Sequence, residues 1–113
     1  MKIKRTSTWN VDRWPTDIEG YDAVLAASKA FVANNTSDII EVSSENDLEN
    51  RRITYTMIFA SEEAATAAKG RLSWQQDRSY NLSIGMTRHW LKEEGYNELT
   101  GEWVLIKEGT EEF

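Results

Sequence analysis

His89 is the only imidazole in the chain. It is the one side chain whose ordinary titration falls near neutrality, so it is the candidate general base. Acid–base chemistry needs an orienting partner, and the neighbouring sequence places no carboxylate to serve His89. The alternative is a solvent-facing His next to Arg88. The second group that could do chemistry is aromatic. Five Trp and four Tyr are many for 113 residues, and such side chains gather in ligand pockets and interfaces. Tyr55, Met57, Trp74, Trp90 and Trp103, together with His89, are the candidate lining of a cavity between a sheet and its helices. Asn10 joins them as part of the Trp9–Trp14 cluster, where the first strand leaves the sheet and a pocket mouth is common. Core and interface packing is the competing account of these aromatics.

Much chemistry is excluded by composition. There is no Cys, which removes disulfides, thiolate metal sites and Cys nucleophiles, and one His cannot build a multi-His metal site within one chain. The net charge is −6 and the pI is near 4.8, a poor match for nucleic acid or an anionic membrane. Lys2, Lys4, Arg5 and the pair Arg51-Arg52 are the basic patches, and they fit the protection of sheet edges. Glu45, Asp47 and Glu49 lack the spacing of a calcium loop and fit a solvated turn. No Gly-rich phosphate loop, GxSxG or HExxH motif is present. No metal and no cofactor is expected.

The elements that must position these residues follow from periodicity and caps. The length suits one domain spanning 1–113, and 40 % apolar with 28 % charged residues suits a globular one. Residues 2–9 read as a strand. Pro15 and the Thr16-Asp17-Ile18-Glu19 capping box start a helix that carries Tyr21, Val24, Leu25, Phe31 and Val32 on one stripe and ends near Asn34-Asn35. Residues 38–44 are a short strand, with Ile39 opposite Ile40 and Val42. Residues 51–59 alternate cleanly, with Ile53, Tyr55, Met57 and Phe59 on one face. Ser61 caps a second helix, with Glu62 and Glu63 in its first turn and an Ala65, Ala68, Leu72 stripe. From Tyr80 to Met86 both strand and helix fit. The four-residue spacing of Leu82, Met86 and Trp90 favours a helix ended by Gly95. Residues 102–107 form the last strand, apolar on both faces, and the acidic tail 108–113 is expected to fray. This order gives an α+β fold: a split βαβ, ferredoxin-like βαββαβ with a four-stranded antiparallel sheet, helices on one face and an extra helical segment before the last strand.

The run from Tyr55 to Ala65, an apolar strand leading into Ser61-Glu62-Glu63-Ala64, resembles the dimeric α+β barrel superfamily of antibiotic-biosynthesis-type and haem-degrading monooxygenases. The resemblance implies a cavity between sheet and helices and, for the first group, oxygen chemistry without a cofactor. The haem-degrading members use an Asn, a Trp and a His. Asn10, Trp74 and His89 occur here in that order, but the fifteen positions between the last two are long for that group.

Independently of the resemblance, strands apolar on both faces call for burial of both faces of the sheet, which predicts a homodimer packed sheet to sheet. Two functions follow. One is a homodimeric small-molecule binder, taking a small apolar or aromatic ligand and able to serve as a cofactor-independent monooxygenase. The other is a non-enzymatic dimeric module with a close-packed interior. With no secretory signal and no apolar run long enough to span a bilayer, the expected location is the cytoplasm.

Overall fold

The computed structural model describes residues 1–12, 22, 26, 38–47, 49–83 and 85–113, with backbone alone at 72, 73, 77 and 80. Seven elements follow in chain order: β1 (Ile3–Asn10), β2 (Ile39–Asp47), β3 (Arg52–Phe59), α1 (Glu62–Lys69), α2 (Leu72–Ser83), β4 (Thr87–Asn97) and β5 (Glu102–Gly109). Between Asp12 and Asp38 only Asp22 and Ala26 are described, both helical. The Thr16 capping box and the Tyr21–Val32 stripe lie outside the described residues.

The sheet has five strands in the order β2-β3-β1-β4-β5, and every neighbouring pair is antiparallel. The first four follow the expected ferredoxin-like order with β1 at the centre. The fifth corrects the four-stranded expectation. Its origin is the segment expected to be one helix up to Leu91. The helix α2 stops at Ser83, Gly85 takes φ 90°, and β4 begins at Thr87. A positive φ ends a helix at no steric cost only for glycine. The stretch read as the last strand is therefore β5, hairpinned to β4 through Asn97–Gly101, where Asn97 Oδ1 accepts from the Leu99 and Thr100 amides.

Two bulges change which side chains share a face. In β2 the register shifts between Ile39 and Glu41, so Ile39 lies across from Phe59 and Val42 across from Met57. Both are buried in one cluster and Ile40 is exposed, which corrects the expectation that Ile39 opposes Val42. In β4 the register shifts opposite Thr8 and Trp9, so Trp90 faces Thr8 while Arg88 faces Trp9.

The core lies between the sheet and the helices. Ile3, Ile39, Val42, Met57 and Phe59 pack under Ala64, Ala65 and Ala68 of α1, whose small side chains let the helix backbone approach the sheet. Ser61 is the N-cap, its hydroxyl accepting from the Ala64 amide at 3.0 Å. A second cluster joins Trp9, Val11, Ile53 and Met86, and Tyr55 packs against both. Among the described residues no helix is long and apolar enough to cross a membrane.

Candidate functional site

Strand alternation sends Ile3, Arg5, Ser7 and Trp9 to the helix-facing side of β1, and all four are buried. Two of them are polar, in the middle of the sheet. Arg5 is 3 % exposed. It donates from Nη1 to Glu93 Oε2 at 3.3 Å and to the Phe113 main-chain oxygen at 2.6 Å, and from Nη2 to Glu112 Oε1 at 2.6 Å. Its guanidinium also lies 5.2 Å from the Trp74 ring centre and 5.8 Å from that of Phe113. Glu93 is shared with Lys69 Nζ at 2.5 Å. Arg5 therefore does not protect an edge, because β1 is the central strand. Nor is the whole 108–113 tail frayed, because Glu112 and Phe113 close over Arg5.

One step along the same face, Arg88 lies over the Trp9 ring at 4.3 Å and donates from Nη2 to Glu112 Oε2 at 2.9 Å. Arg78 of α2 stands 3.5 Å from the same oxygen. Burial pulls the Arg88 guanidinium below its ordinary pKa, Glu112 pushes it back up, and Arg5 and Arg78 add to the lowering. Two of its nitrogens, Nε and Nη1, are buried with no hydrogen-bond partner, as are Ser7 Oγ and Asn81 Oδ1. Unpaired buried polar atoms are costly and call for a physical account. Arg88 also lines a cavity of about 330 Å³, with Trp9, Arg78, Leu82 and the segment Thr110–Glu112. A second cavity, of about 430 Å³, lies at the β4–β5 edge between Met1, Gly95, Tyr96, Val104 and Ile106.

The candidate residues divide between the two faces of the sheet. Tyr55, Met57 and Trp74 are on the helix side, with Met57 buried and Trp74 packed on Phe59 at 6.0 Å. Asn10, Trp90 and Trp103 are on the other, open side. There Asn10 accepts from Arg52 and donates to Thr87. Trp90 faces Thr8, and Trp103 packs on Tyr96 with Lys4 Nζ 4.6 Å from its ring. His89 falls in the β4 bulge between Arg88 and Trp90, half-buried, joined to no other described residue by a hydrogen bond or ion pair. The sheet thus separates Asn10 from Trp74, and the Asn–Trp–His set does not converge on one haem pocket within a chain. Asp47 is held in a turn, its carboxylate accepting from the Asn50 amide and side chain. Among the described residues no three His, Cys, Asp or Glu side chains gather as metal ligands would.

Sequence reasoning missed Arg5, Arg88 and Glu112. A signal for Arg5 existed: the period of two that buries Ile3 and Trp9 carries Arg5 and Ser7 with them.

Comparison with solved structures fits this layout. A Deinococcus radiodurans protein classed with the antibiotic biosynthesis monooxygenases superposes with a TM-score of 0.68 at 11 % identity, over 87 % of this chain and 94 % of that one. SnoaB of Streptomyces nogalater, a cofactor-independent oxygenase, gives 0.65 at 12 % identity, over 89 % and 98 %. A Mycobacterium tuberculosis protein gives 0.65 at 8 % identity, over 87 % and 97 %. The fold is that of the antibiotic-biosynthesis-monooxygenase-like proteins. No protein-family model and no curated protein matches the sequence. In this fold the Arg5–Arg88–Glu112 group sits on the helix side of the sheet.

Proposed function

We propose that the protein is a homodimeric small-molecule-binding α+β barrel protein whose ligand enters the space between the sheet and the helices. The observation that supports this best is the cavity of about 330 Å³ lined by Arg88, which carries buried polar atoms unpartnered among the described residues. Its size falls within the range of small-ligand sites, roughly 300–1,000 Å³. A ligand there meets the Trp9 and Leu82 side chains for apolar contact and the guanidiniums of Arg78 and Arg88 for orientation. The interior is not close-packed at this point, which weighs against the purely structural module.

The likeness to a cofactor-independent oxygenase extends the proposal to chemistry on an electron-rich aromatic substrate with dioxygen. His89, the sole imidazole of the sequence, is its candidate base, although it is not among the residues that line this cavity. The open face of the sheet, with Trp90 and Trp103, supports the dimer part of the reading.

Binding is tested by tryptophan fluorescence, since Trp9 lines the cavity. Saturable quenching by small aromatic compounds, reduced at least tenfold in affinity by Leu82→Asp, is the expected result. No saturable response to any aromatic compound would overturn the reading. Dioxygen uptake with a panel of phenols, without added cofactor, tests the chemistry, and His89→Ala should suppress it.

A further inference from the structure

Among the described residues, four cations, Arg5, Lys69, Arg78 and Arg88, share ion pairs with two carboxylates, Glu93 and Glu112, on the helix side of the sheet, and a third carboxylate, Glu111, lines the adjoining cavity. Three of the cations are guanidiniums that converge on one carboxylate, Glu112, at 2.6, 2.9 and 3.5 Å. Arginine forks suit carboxylates because two parallel N–H groups can meet two oxygens. Glu112 does not use the fork of Arg88 in full, since Nε and Nη1 of that residue stay unpaired and buried.

The segment that carries this carboxylate is weakly anchored through its backbone. Glu112 lies past the last β5 residue, Gly109. Among the described residues, Thr110 to Phe113 make no backbone–backbone hydrogen bond. They are held by side-chain contacts and by the Arg5 bond to the Phe113 oxygen. The Glu112 side chain is 26 % exposed, against 4 % for Arg5 beneath it. Next to this carboxylate is a ring: Phe113 lies 5.8 Å from the Arg5 guanidinium and 4.6 Å from Lys107 Nζ. The segment therefore presents an acid to the cavity that Trp9 lines and an aromatic ring to the Arg5 guanidinium, which Trp74 also flanks.

We propose that the Arg5–Arg78–Arg88 cradle is the subsite for a small aromatic carboxylate, and that Glu112 with Phe113 holds it as an internal competitor. The proposal rests on the reading of the cavity as a ligand site and names the class of ligand. A bound carboxylate takes both faces of the Arg88 fork, displaces Glu112, and lets the 110–113 segment swing outward. The paired charges explain the choice of an acid over a neutral aromatic: removing Glu112 without a replacement would take the carboxylate from Arg78 and Arg88 and leave Arg5 with Glu93 alone.

The test is calorimetric titration of benzoate, with benzyl alcohol as the neutral probe, into the wild-type protein and the Glu112→Gln variant. Benzoate should bind Glu112→Gln at least tenfold more tightly than wild type. Adding Arg88→Gln to that variant should abolish the gain, and benzyl alcohol should distinguish none of the three. Circular dichroism establishes that each variant is folded. Should Glu112→Gln unfold, Phe113→Ala loosens the same segment without touching the cradle, and benzoate should tighten several-fold there. Equal benzoate affinity in wild type and a folded variant overturns the proposal. Saturable benzyl alcohol binding alongside that result leaves the cavity reading standing. No binding of either probe overturns both.

Discussion

Arg5→Met keeps an apolar stem in the sheet and removes the charge that Glu93 and Glu112 face. The expected loss is about 3 kcal/mol, the cost of breaking a buried pair by deleting one partner, read from urea unfolding. Glu93 would keep only Lys69, and the Phe113 oxygen would lose its donor. Asp47 gives a different signal because it is fully exposed. The side-chain and backbone hydrogen bonds from Asn50 hold its carboxyl below the ordinary 3.8, with Arg52 adding to the lowering. A carboxyl with a depressed folded pKa stabilises the fold at pH above the unfolded value. That contribution disappears as pH falls from about the ordinary value through the folded one. Asn50→Ala should flatten this acid limb of the stability–pH curve and leave the curve above pH 5 parallel to wild type. A variant whose acid limb is as steep as wild type's would place the linkage on other carboxylates. At this scale the sequence was only partly legible. The caps and the turn at Asp47 are local, and local chemistry shows in local residue types. Arg5, Arg88 and Glu112 become one group only through partners 88 and 107 positions from Arg5 and 24 positions apart for the other pair.

Two elements test how local signals set boundaries. Ser61→Ala should cost about 1 kcal/mol, the usual loss for an N-cap hydroxyl, because the Ala64 amide loses its acceptor. Gly85→Ala should cost about 1 kcal/mol or more, since φ 90° strains any side chain. It should also lower hydrogen-exchange protection where α2 hands over to β4. An unchanged melting midpoint for Gly85→Ala would mean that the junction relaxes without cost. The contrast between β3 and β4 shows what makes an element readable. β3 buries Ile53, Met57 and Phe59 with strict alternation and no interruption. β4 carries a bulge at His89, charged Arg88 and Glu93 on its helix side, and a glycine at position 95. Its period of two is broken, and the chance spacing of Leu82, Met86 and Trp90 imitates a helix across a boundary. Gly95, read as a helix terminator, instead makes room for Met1 and Ile106, whose side chains approach within 3.2 Å of where its Cβ would stand.

For the whole molecule, the proposed dimer rests on the open face of the sheet. Lys4, Thr6 and Thr8 of β1 share that face with Thr54, Thr56 and Ile58 of β3 and with Trp90 and Lys92 of β4. Sedimentation equilibrium at micromolar concentration should give twice 13.0 kDa, and Ile58→Lys should shift it toward the monomer. A monomer in wild type would remove the sheet-to-sheet dimer. The fold class was legible because strand order follows from short connections and a capped helix. The added strand, β4, was not, because the bulge at His89 breaks its period of two although it pairs on both sides. The placement of β1 has a consequence for how the chain is made. The strand synthesised first is the central one, and both of its neighbours come later. At roughly 5–20 residues per second on the ribosome, β4 follows β1 by on the order of ten seconds. For that interval Ile3 and Trp9 have no sheet to enter on one side, and the nascent chain can complete only the β2–β3 hairpin and its pairing with β1. Folding of this sheet therefore turns on a waiting β1, and a ribosome-proximal chaperone that shields apolar segments would find a client site there.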